Sequence, residues 1–554
     1  SSVAVGNAAL FSTTTGENNV AVGVNALFTN TTATNSTAVG RDSLKLNTTG
    51  SQNIAVGAFA LDANTTANNN IAVGYASLSA NTTGTGNVVI GTSAGDVITT
   101  GSYNTIAGLN AAGALTTGTH NTVLGNNTAS ALTAGTNNTI VGSSVLVAGD
   151  GADNCSAVGY AALYSNTADN INTFGYASLY SNTSGVRNSA FGHVALNLNT
   201  TGDDNTAMGF AALDANTTAS DCTGIGSYAL SANTTGGENT AVGVEALDAN
   251  TTGAANTAVG VGALGSNTTA SNNTAMGRSC LLNNTTGHSN TGYGRLCLSS
   301  NTTGLRHTAM GYFALYSATT GVENTAIGNT ALQNMTTGNS NTGVGHEALQ
   351  NATTGNGNVS IGQATLRSAT TGADNTAVGN AAGLSNTTGQ NNLYLGHDAG
   401  RSNSPMGNNT TGSDGVCLGN NDITDLFCAD TTISSSDARD KTDVTNFTIG
   451  LDWIKACRPV TYRWDRRTWY GTDAEPYGTP DGSKKRNRIH IGFLAQEMLE
   501  IEKTHGYGNS KDDSIIVTNN MDEMSYGIKY ERLVPILVNA IKELETRLAA
   551  VETA

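Results

Sequence analysis

Ser436 and Lys441 are the residues of this sequence whose types and spacing could support covalent chemistry. A serine hydroxyl is a weak nucleophile until a neighbouring base removes its proton, and a lysine does so only where burial lowers its pKa enough to leave it neutral. Asp440 beside Lys441 opposes this, because a carboxylate favours the ammonium form. By itself a serine five residues before a lysine is far more often part of a polar linker. Its meaning therefore depends on the surrounding elements.

Those elements fall into two regions of contrasting composition. The 554-residue chain holds 67 Gly but only 5 Pro, and all three Trp follow residue 450. Residues 1–435 carry 8 Lys/Arg and 22 Asp/Glu, and so lack the clustered positive charge that binding of nucleic acid requires. We therefore expect no nucleic-acid partner.

The sequence lacks the patterns typical of a membrane-spanning helix, of a metal site and of a signal peptide. No run of about 20 apolar residues predicts a membrane-spanning helix. The 7 cysteines are scattered without a CxxC pair, and the histidines of the repeats fall at different repeat positions, so we expect no metal and no cofactor. The first residues lack the layout of a signal peptide, and the chain begins within a repeat, so we expect an anchoring segment upstream.

A repeat of 17 residues builds the first 420 residues. A glycine closes each Asn-Thr-Ala-Val-Gly block from Gly6 to Gly159, one step of 16 residues leads to Gly175, and the period then resumes to Gly396. After six inserted residues a last copy ends at Gly419, which makes 25 copies. A fixed period of this kind is typical of a stacked repeat fold.

The consensus can be read from Asn239 to Gly253. Alternating β-branched residues such as Val20 and Val22 predict a short strand with these side chains in a core of Val, Ile, Ala and Leu. The following glycine permits a corner, and Asn-Thr-Thr-Gly supplies turn chemistry. The Asn-Thr-Thr triplets match the N-glycosylation acceptor, but in a repeat they favour stacked ladders of hydrogen-bonded Asn and Thr. Cys280 and Cys297, one repeat apart, are expected to be stacked, buried and unpaired rather than joined by a disulfide.

So few inward side chains per coil bury little surface in one isolated column, which favours three chains side by side. Short strands ending in Ala-Val-Gly resemble the head repeats of trimeric autotransporter adhesins and the shafts of phage tail fibres, although the 17-residue period is longer than is typical of those heads. The resemblance implies a homotrimer. A monomeric β-solenoid is the alternative.

The C-terminal region contains four sequence blocks that form a second pattern. They are Ser434–Val444, Gly450–Ile454, Arg458–Trp464 and His490–Glu497. Their order and spacing resemble the C-terminal intramolecular chaperone of endosialidase-type phage tail spikes, over residues 434–554.

This resemblance implies a trimeric folding module that cleaves itself from its shaft with a serine–lysine dyad. By the same resemblance, Ser436 is the nucleophile that attacks the carbonyl of Ser435, and Lys441 is the general base. Cleavage would fall between Ser435 and Ser436. His490 is a possible accessory residue, although a structural histidine is the more common reading.

Apolar residues near the C-terminus follow a heptad spacing of alternate threes and fours. They are Val534, Leu537, Ile541, Leu544, Leu548 and Val551. This is the a/d seam of a coiled coil, and we expect it to trimerise the chain. A unique C-terminal nucleus would fix the register of chains whose near-identical coils could otherwise pair one repeat out of step.

The sequence thus predicts an all-β repeat rod of β-roll or β-solenoid type, trimeric, followed by a small α+β domain with a C-terminal coiled coil. The predicted divisions are a shaft over 1–396, a final repeat with an insertion and a tip or linker over 397–435, and a chaperone or autopeptidase domain over 436–554. Within the last, the coiled coil covers 533–552.

The predicted function is that of a structural trimeric fibre of a virion, a tail fibre for host attachment. Its expected partners are two further copies of the chain, a host cell-surface receptor, expected to be a glycan, and a baseplate or other anchor. The expected location is the virion or extracellular space, after synthesis in the host cytoplasm. A cell-surface trimeric adhesin filament without self-cleavage is the alternative, and the C-terminal coiled coil in place of a membrane barrel counts against it. No recurring carboxylate pair or Ser/His/Asp set predicts a glycan-degrading enzyme.

Overall fold

The structure, a computed structural model, describes residues 1–423, 442, 444–467, 470, 478–510, 513–519 and 526–553. It contains two compact units, Ser1–Gly343 and Val344–Ala554. The first unit consists of solenoid coils. The second contains the remaining coils and the C-terminal helices and short sheets.

Each coil contributes one strand of three residues to a parallel sheet, which has 25 strands over the described residues. Within each unit a strand pairs with the next at identical repeat positions, as Thr240 does with Thr257 and Val242 with Val259. The predicted solenoid of 17-residue coils is confirmed. The strands β1 to β25 are Val3–Val5, Val20–Val22, Thr37–Val39, Ile54–Val56, Ile71–Val73, Val88–Ile90, Thr105–Ala107, Thr122–Leu124, Thr139–Val141, Ser156–Val158, Asn172–Phe174, Ser189–Phe191, Thr206–Met208, Thr223–Ile225, Thr240–Val242, Thr257–Val259, Thr274–Met276, Thr291–Tyr293, Thr308–Met310, Thr325–Ile327, Thr342–Val344, Val359–Ile361, Thr376–Val378, Leu393–Leu395 and Val416–Leu418.

The predicted direction of the strand side chains is wrong. In β2 the middle residue Ala21 is fully buried, whereas Val20 and Val22 on either side of it point outward and are only half-buried. The interior of this coil already holds Ala26 and Leu27, both fully buried. What remains beneath the strand has room for a methyl group, so the small residue faces inward and the β-branched residues face outward.

The coils of β6 and β7 carry a larger inward strand residue and a smaller residue on the arm that follows the strand. Val89 and Ile106 take the inward position in β6 and β7, and the residue that is Leu in most coils becomes Gly95 and Ala112. A Cβ on Gly95 would lie 2.9 Å from Cδ1 of Ile98 and 3.4 Å from Cδ1 of Ile106. In these two coils the smaller residue of the arm makes room for the larger residue of the strand.

The repeat glycine is required at the corner after each strand. Gly243 has a φ of +138°, a conformation that side chains disfavour, and a Cβ there would lie 2.6 Å from the carbonyl oxygen of Gly260 in the next coil. The arm that follows is not a strand. Glu245 and Leu247 have φ values of 55° and 52°, and the Leu247 amide donates to the carbonyl of Ala263 at 3.0 Å.

The predicted Asn and Thr ladders are present. Asn250 is fully buried, and its Nδ2 donates to Oδ1 of Asn233 at 2.8 Å and to the Gly253 carbonyl at 2.9 Å. Thr251 Oγ1 donates to the Thr268 carbonyl at 3.0 Å. Because both amide hydrogens of Asn250 are engaged in the interior, this Asn-Thr-Thr triplet is a structural element and not a surface acceptor for a glycan.

The cysteines of the rod are likewise interior residues. Cys280 and Cys297 are both fully buried and both are free thiols. Each replaces the Ala that most coils carry three residues after the corner glycine. They act as small apolar residues, as the sequence predicts.

The C-terminal elements form a small mixed domain around one core. The core contains Trp453, Met498, Ile516, Val517, Leu533 and Ile536. The strands Val460–Tyr462 and His490–Gly492 pair antiparallel, and so do Val517–Asn519 and Tyr526–Ile528. The elements are α1 (Leu451–Ala456), β26 (Val460–Tyr462), β27 (His490–Gly492), α2 (Ala495–Thr504), β28 (Val517–Asn519), β29 (Tyr526–Ile528), a 3₁₀ helix (Tyr530–Arg532) and α3 (Leu533–Glu552).

Candidate functional site

The predicted dyad lies just before the C-terminal domain core. Ser435, Ser436 and Lys441 fall outside the described residues, so the proposed contact between serine and lysine stays a prediction. The described chain continues from residue 444 into α1. What the structure provides is the scaffold to which this segment is attached.

Two polar side chains of α3 hold the segment that follows the predicted dyad. Asn539 Nδ2 donates to the carbonyl oxygens of Phe447 at 2.7 Å and Ile449 at 3.2 Å. Glu543 accepts a hydrogen bond from the amide of Leu451 at 3.3 Å, at the start of α1, where helix amides lack partners within the helix. The long helix therefore fixes residues 447–451, the stretch that follows the predicted dyad in the sequence.

The sequence blocks quoted above meet in this domain. Arg458 forms a two-pronged ion pair with Glu497, with Nε 3.1 Å from Oε2. The guanidinium lowers the pKa of the Glu497 carboxyl through its hydrogen bonds. The pair joins the segment between α1 and β26 to the first turn of α2. Since both side chains are largely exposed, it orients the elements more than it stabilises them.

His490 lies among aromatic rings. Its ring stacks on Tyr462 with centroids 5.6 Å apart and meets the edge of Trp464 at 6.2 Å. Tyr462 is its direct partner in the antiparallel pair β26–β27. These contacts give His490 a packing role, and its predicted accessory role in cleavage is not tested.

Gly492 permits a close contact that sequence reasoning did not anticipate. The Tyr530 hydroxyl accepts a hydrogen bond from the Phe493 amide at 3.0 Å. A Cβ on Gly492 would lie 2.4 Å from that hydroxyl oxygen. A larger residue at Gly492 would therefore displace the Tyr530 hydroxyl from its hydrogen bond with the Phe493 amide.

Glu502 of α2 is another residue that sequence reasoning missed. Although it carries a carboxylate, it is fully buried. It accepts hydrogen bonds from the amides of Ile516 and Val517, the latter at 2.8 Å, and from Ser514 Oγ at 2.5 Å. A buried carboxylate survives only with such partners. The available signal was its place on the apolar face of α2, near Met498.

The heptad residues of α3 face away from the domain core. The buried face of α3 carries Leu533, Ile536 and Ala540. The seam residues are all exposed, and Ile541 and Val551 retain 63% and 73% of their surface. The domain therefore folds around one side of α3, and no described residue covers the seam. The exposed seam consists of Val534, Leu537, Ile541, Leu544, Leu548 and Val551.

An apolar cavity of about 170 Å³ opens beside the seam. Its lining is almost free of polar atoms, and one of the lining residues, Leu537, belongs to the seam. The cavity is lined by Ile454, Cys457, Pro459, Phe493, Leu533 and Leu537. The apolar surface of the seam thus continues into a recess of the domain.

The last coil makes polar contacts with the C-terminal domain inside the second unit. Arg466 donates to Oδ1 of Asn421 at 3.0 Å and lies 4.3 Å above the ring of Trp464. Arg486 lies 3.7 Å from the carboxylate of Asp422. Burial lowers the pKa of the Arg466 guanidinium, although it stays charged at neutral pH.

The six-residue insertion widens the last coils to hold Tyr394. This residue occupies the inward strand position of β24, where Ala is usual, and is fully buried. Its hydroxyl accepts from Nδ2 of Asn386 at 3.2 Å and of Asn409 at 2.8 Å, and burial raises its pKa to about 12. Gly383 and Gly400 leave the space, since a Cβ on either would lie 2.8 and 2.4 Å from the ring.

The described residues contain neither a membrane-spanning helix nor a cluster of metal ligands. Among them no helix is both long and apolar enough to cross a membrane. The same residues contain no group of three or more His, Cys, Asp or Glu side chains arranged to hold a metal ion.

Comparison with known proteins identifies one part of the chain. Residues 436–507 match the family described as chaperone of endosialidase. The match begins at Ser436 and includes α1, the pair β26–β27, α2 and the Arg458–Glu497 ion pair. No curated protein matches the sequence. The chain therefore combines a parallel β-solenoid with a chaperone-of-endosialidase region.

Proposed function

We propose that this chain is the subunit of a homotrimeric fibre of the phage tail-fibre type, whose C-terminal domain assembles three solenoids in register and then cleaves itself before Ser436. The observation that carries the proposal is the combination of a 25-strand solenoid with the chaperone-of-endosialidase match at residues 436–507. Intramolecular chaperones of this kind act on the chain that carries them. A long uniform solenoid is a substrate that needs one.

The need for a chaperone follows from the repeat. Neighbouring strands present the same residues at the same positions, as in Thr240–Val242 and Thr257–Val259, so a slip of one coil loses little contact. The coils cannot determine the register because they are nearly identical. A contact that exists only once per chain can determine it. The exposed seam of α3 supplies such a contact, because three copies can bury it together.

Self-cleavage would use Ser436 and Lys441, from one chain or from neighbouring chains, together with a water molecule. The Ser436 hydroxyl attacks the carbonyl carbon of Ser435 while Lys441 takes the hydroxyl proton. The peptide bond between Ser435 and Ser436 breaks, its nitrogen receives a proton, and water then hydrolyses the resulting ester. Burial of the lysine in the assembled trimer would lower its pKa, which ties cleavage to assembly. In the sequence the predicted dyad precedes residues 447–451, which Asn539 and Glu543 of α3 bind. This supports a link between α3 and cleavage.

The fibre role places the protein on a virion or in the extracellular space after synthesis in the host cytoplasm. We propose that residues 397–435, with the insertion of the last coil, form the part that meets a host receptor, and that the receptor is a glycan. The polar residues of the insertion and of the turn after it, such as Asn408 and the exposed Thr410, support that choice. A separate anchor, at a baseplate or elsewhere, completes the assembly.

Self-cleavage is tested by substitution of the nucleophile. The parent chain is expected to give fragments of 435 and 119 residues on a denaturing gel, and Ser436→Ala one band of 554 residues. Ser434→Ala is the matched control and should cleave like the parent. Identical band patterns for the parent and Ser436→Ala would exclude the dyad. Light scattering of the purified parent then tests the trimer, and a monomer mass would refute the fibre proposal.

A further inference from the structure

The third residue of each strand forms an apolar stripe along the first unit. In Ser1–Gly343 this is the last residue of β1 to β20, just before the corner glycine, as in Val242. Each of these positions carries Ala, Val, Ile, Leu, Met, Phe or Tyr, and none of these side chains is buried. Phe174 and Met208 retain 58% and 47% of their surface.

The fold of a single chain does not require this stripe. The core position of the strand is the middle residue, Ala241 in this coil, and Val242 points away from it. An outward position on a half-buried strand normally accepts polar and charged residues. Here the first outward residue is most often Thr, and no Asp, Glu, Lys or Arg occupies either outward position in β1 to β20.

Charged residues do occur close to the stripe, at the corner before the strand. Arg187 pairs with Asp204 at 2.6 Å, and Arg306 pairs with Glu323 at 2.9 Å, in each case between neighbouring coils. These positions lie two residues before their strands. The solenoid therefore accommodates charged side chains two residues before a strand, whereas the outward positions of β1 to β20 carry none.

The stripe is comparable in area with known interfaces. At roughly 60 Å² of exposed side chain per coil, the coils of the first unit offer on the order of 1,200 Å² in one strip, or about 600 Å² for each of two neighbouring copies, against about 800 Å² per partner in a standard interface. An exposed apolar patch of this size is unusual on a monomeric protein.

We propose that the stripe is the surface through which copies of this chain pack against one another along the first unit. The occupant is a second and third copy because identical parallel stripes, brought together in register, place apolar residues of the same coil opposite one another without unpaired charge. This inference rests on the proposed homotrimer and identifies the face that it uses. It excludes an arrangement in which the copies are joined only at the C-terminal domain.

The test is cross-linking at one stripe position. Val242→Cys and the control Thr252→Cys are introduced into a chain carrying Cys428→Ser and Cys457→Ser. The remaining cysteines of the solenoid are buried. Thr252 is an exposed residue of the turn in the same coil, away from the strand. A short bismaleimide is applied to the native protein, and the products are separated on a denaturing gel.

We expect covalent dimers for Val242→Cys and monomers for Thr252→Cys, because each chain has one accessible thiol and can form only one cross-link. We also expect at least tenfold slower labelling of Val242→Cys than of Thr252→Cys by a bulky maleimide, because the stripe is covered in the assembly. Rapid labelling of Val242→Cys without cross-linking, in a protein that scatters light as a trimer, would overturn the stripe while leaving the trimer intact. A parent with the mass of a monomer would refute the proposed function itself.

Discussion

At the scale of single residues, the stacking of the coils depends on a few positions at which only one type of side chain fits. The asparagine four residues before the corner glycine connects neighbouring coils, since Oδ1 of Asn239 accepts from the Asn256 amide at 2.9 Å. Asn81 and Asn301 lie at ends of the second Asn ladder, where the next coil carries Ile98 and Ala318, and their buried Oδ1 atoms have no hydrogen-bond partner. A ladder position is therefore stabilising only as part of a series.

His307 replaces Asn in the first ladder and makes one coil sensitive to pH. It is buried, its Nδ1 accepts from the Asn324 amide at 3.2 Å, and burial lowers its pKa to about 4. The unfolded chain protonates this histidine near pH 6.5, whereas the folded coil keeps it neutral. Stability is therefore full above pH 6.5 and falls as the pH drops towards 4, by roughly 3 kcal/mol in total.

The measurement is hydrogen exchange of the neighbouring coils between pH 7 and pH 4.5, corrected for intrinsic rates. In the parent we expect protection around residues 290–324 to fall with pH relative to distant coils. His307→Asn restores the side chain of the other coils and should remove that difference. Equal pH dependence in parent and variant would contradict the assignment.

At the scale of elements, the C-terminal domain depends on a buried carboxylate. Glu502 joins α2 to β28 because its carboxylate accepts hydrogen bonds from two backbone amides and from a serine hydroxyl. Glu502→Ala leaves those amides without partners, so we expect the domain to lose about 3 kcal/mol of stability. Glu500→Ala on the exposed face of the same helix, where Glu500 contacts Lys503 at 2.8 Å, should change it by less than about 0.5 kcal/mol.

Thermal unfolding followed by the near-ultraviolet signal of the tryptophans reports on this domain, because Trp453 lies in its core and all three tryptophans follow residue 450. Glu502→Ala is expected to lower the domain transition clearly, and Glu500→Ala to leave it in place. Equal shifts for the two variants would show that the buried contact does not hold α2 to β28.

Elements also mark the limit of what the sequence predicted. The 17-residue period located every strand of the repeat, because one glycine per coil is forced by the close approach of Gly243 to Gly260. The same pattern failed for side-chain direction: in a strand of three residues, alternation does not say which of two phases faces the core. The positive φ of Leu247 also could not be predicted from the sequence, because the stacking of coils imposes a backbone conformation that leucine disfavours locally.

The site was predicted less completely than the fold. The resemblance located the domain, and the α3 heptad pattern is matched by a single helix with its seam exposed. The tethers from Asn539 and Glu543 to residues 447–451 could not be read from the sequence, because they join segments about 90 residues apart. Contacts of that kind depend on tertiary packing and carry no local signal. The serine–lysine contact itself stays a prediction.

At the scale of the whole molecule, the proposed assembly gives two apolar surfaces different tasks. The stripe of the first unit repeats with every coil, so it can hold copies together but cannot select one alignment. The α3 seam occurs once per chain, so it can select an alignment but is short. Assembly of a defined fibre needs both, and loss of the seam should therefore give disordered association instead of monomers.

Ile541→Asp tests this division of tasks. A carboxylate in the seam has to be desolvated on assembly, which should reduce the yield of discrete trimer on the order of tenfold or more. The rest of the protein is expected in species of mixed mass, because the stripes still associate out of register. The control Thr546→Asp introduces the same charge on α3 outside the seam, at an exposed residue, and should leave the trimer unchanged. Light scattering coupled to size exclusion separates these results. If Ile541→Asp gave clean monomer, the stripe would lack independent affinity, and if it gave clean trimer, the seam would not select the register.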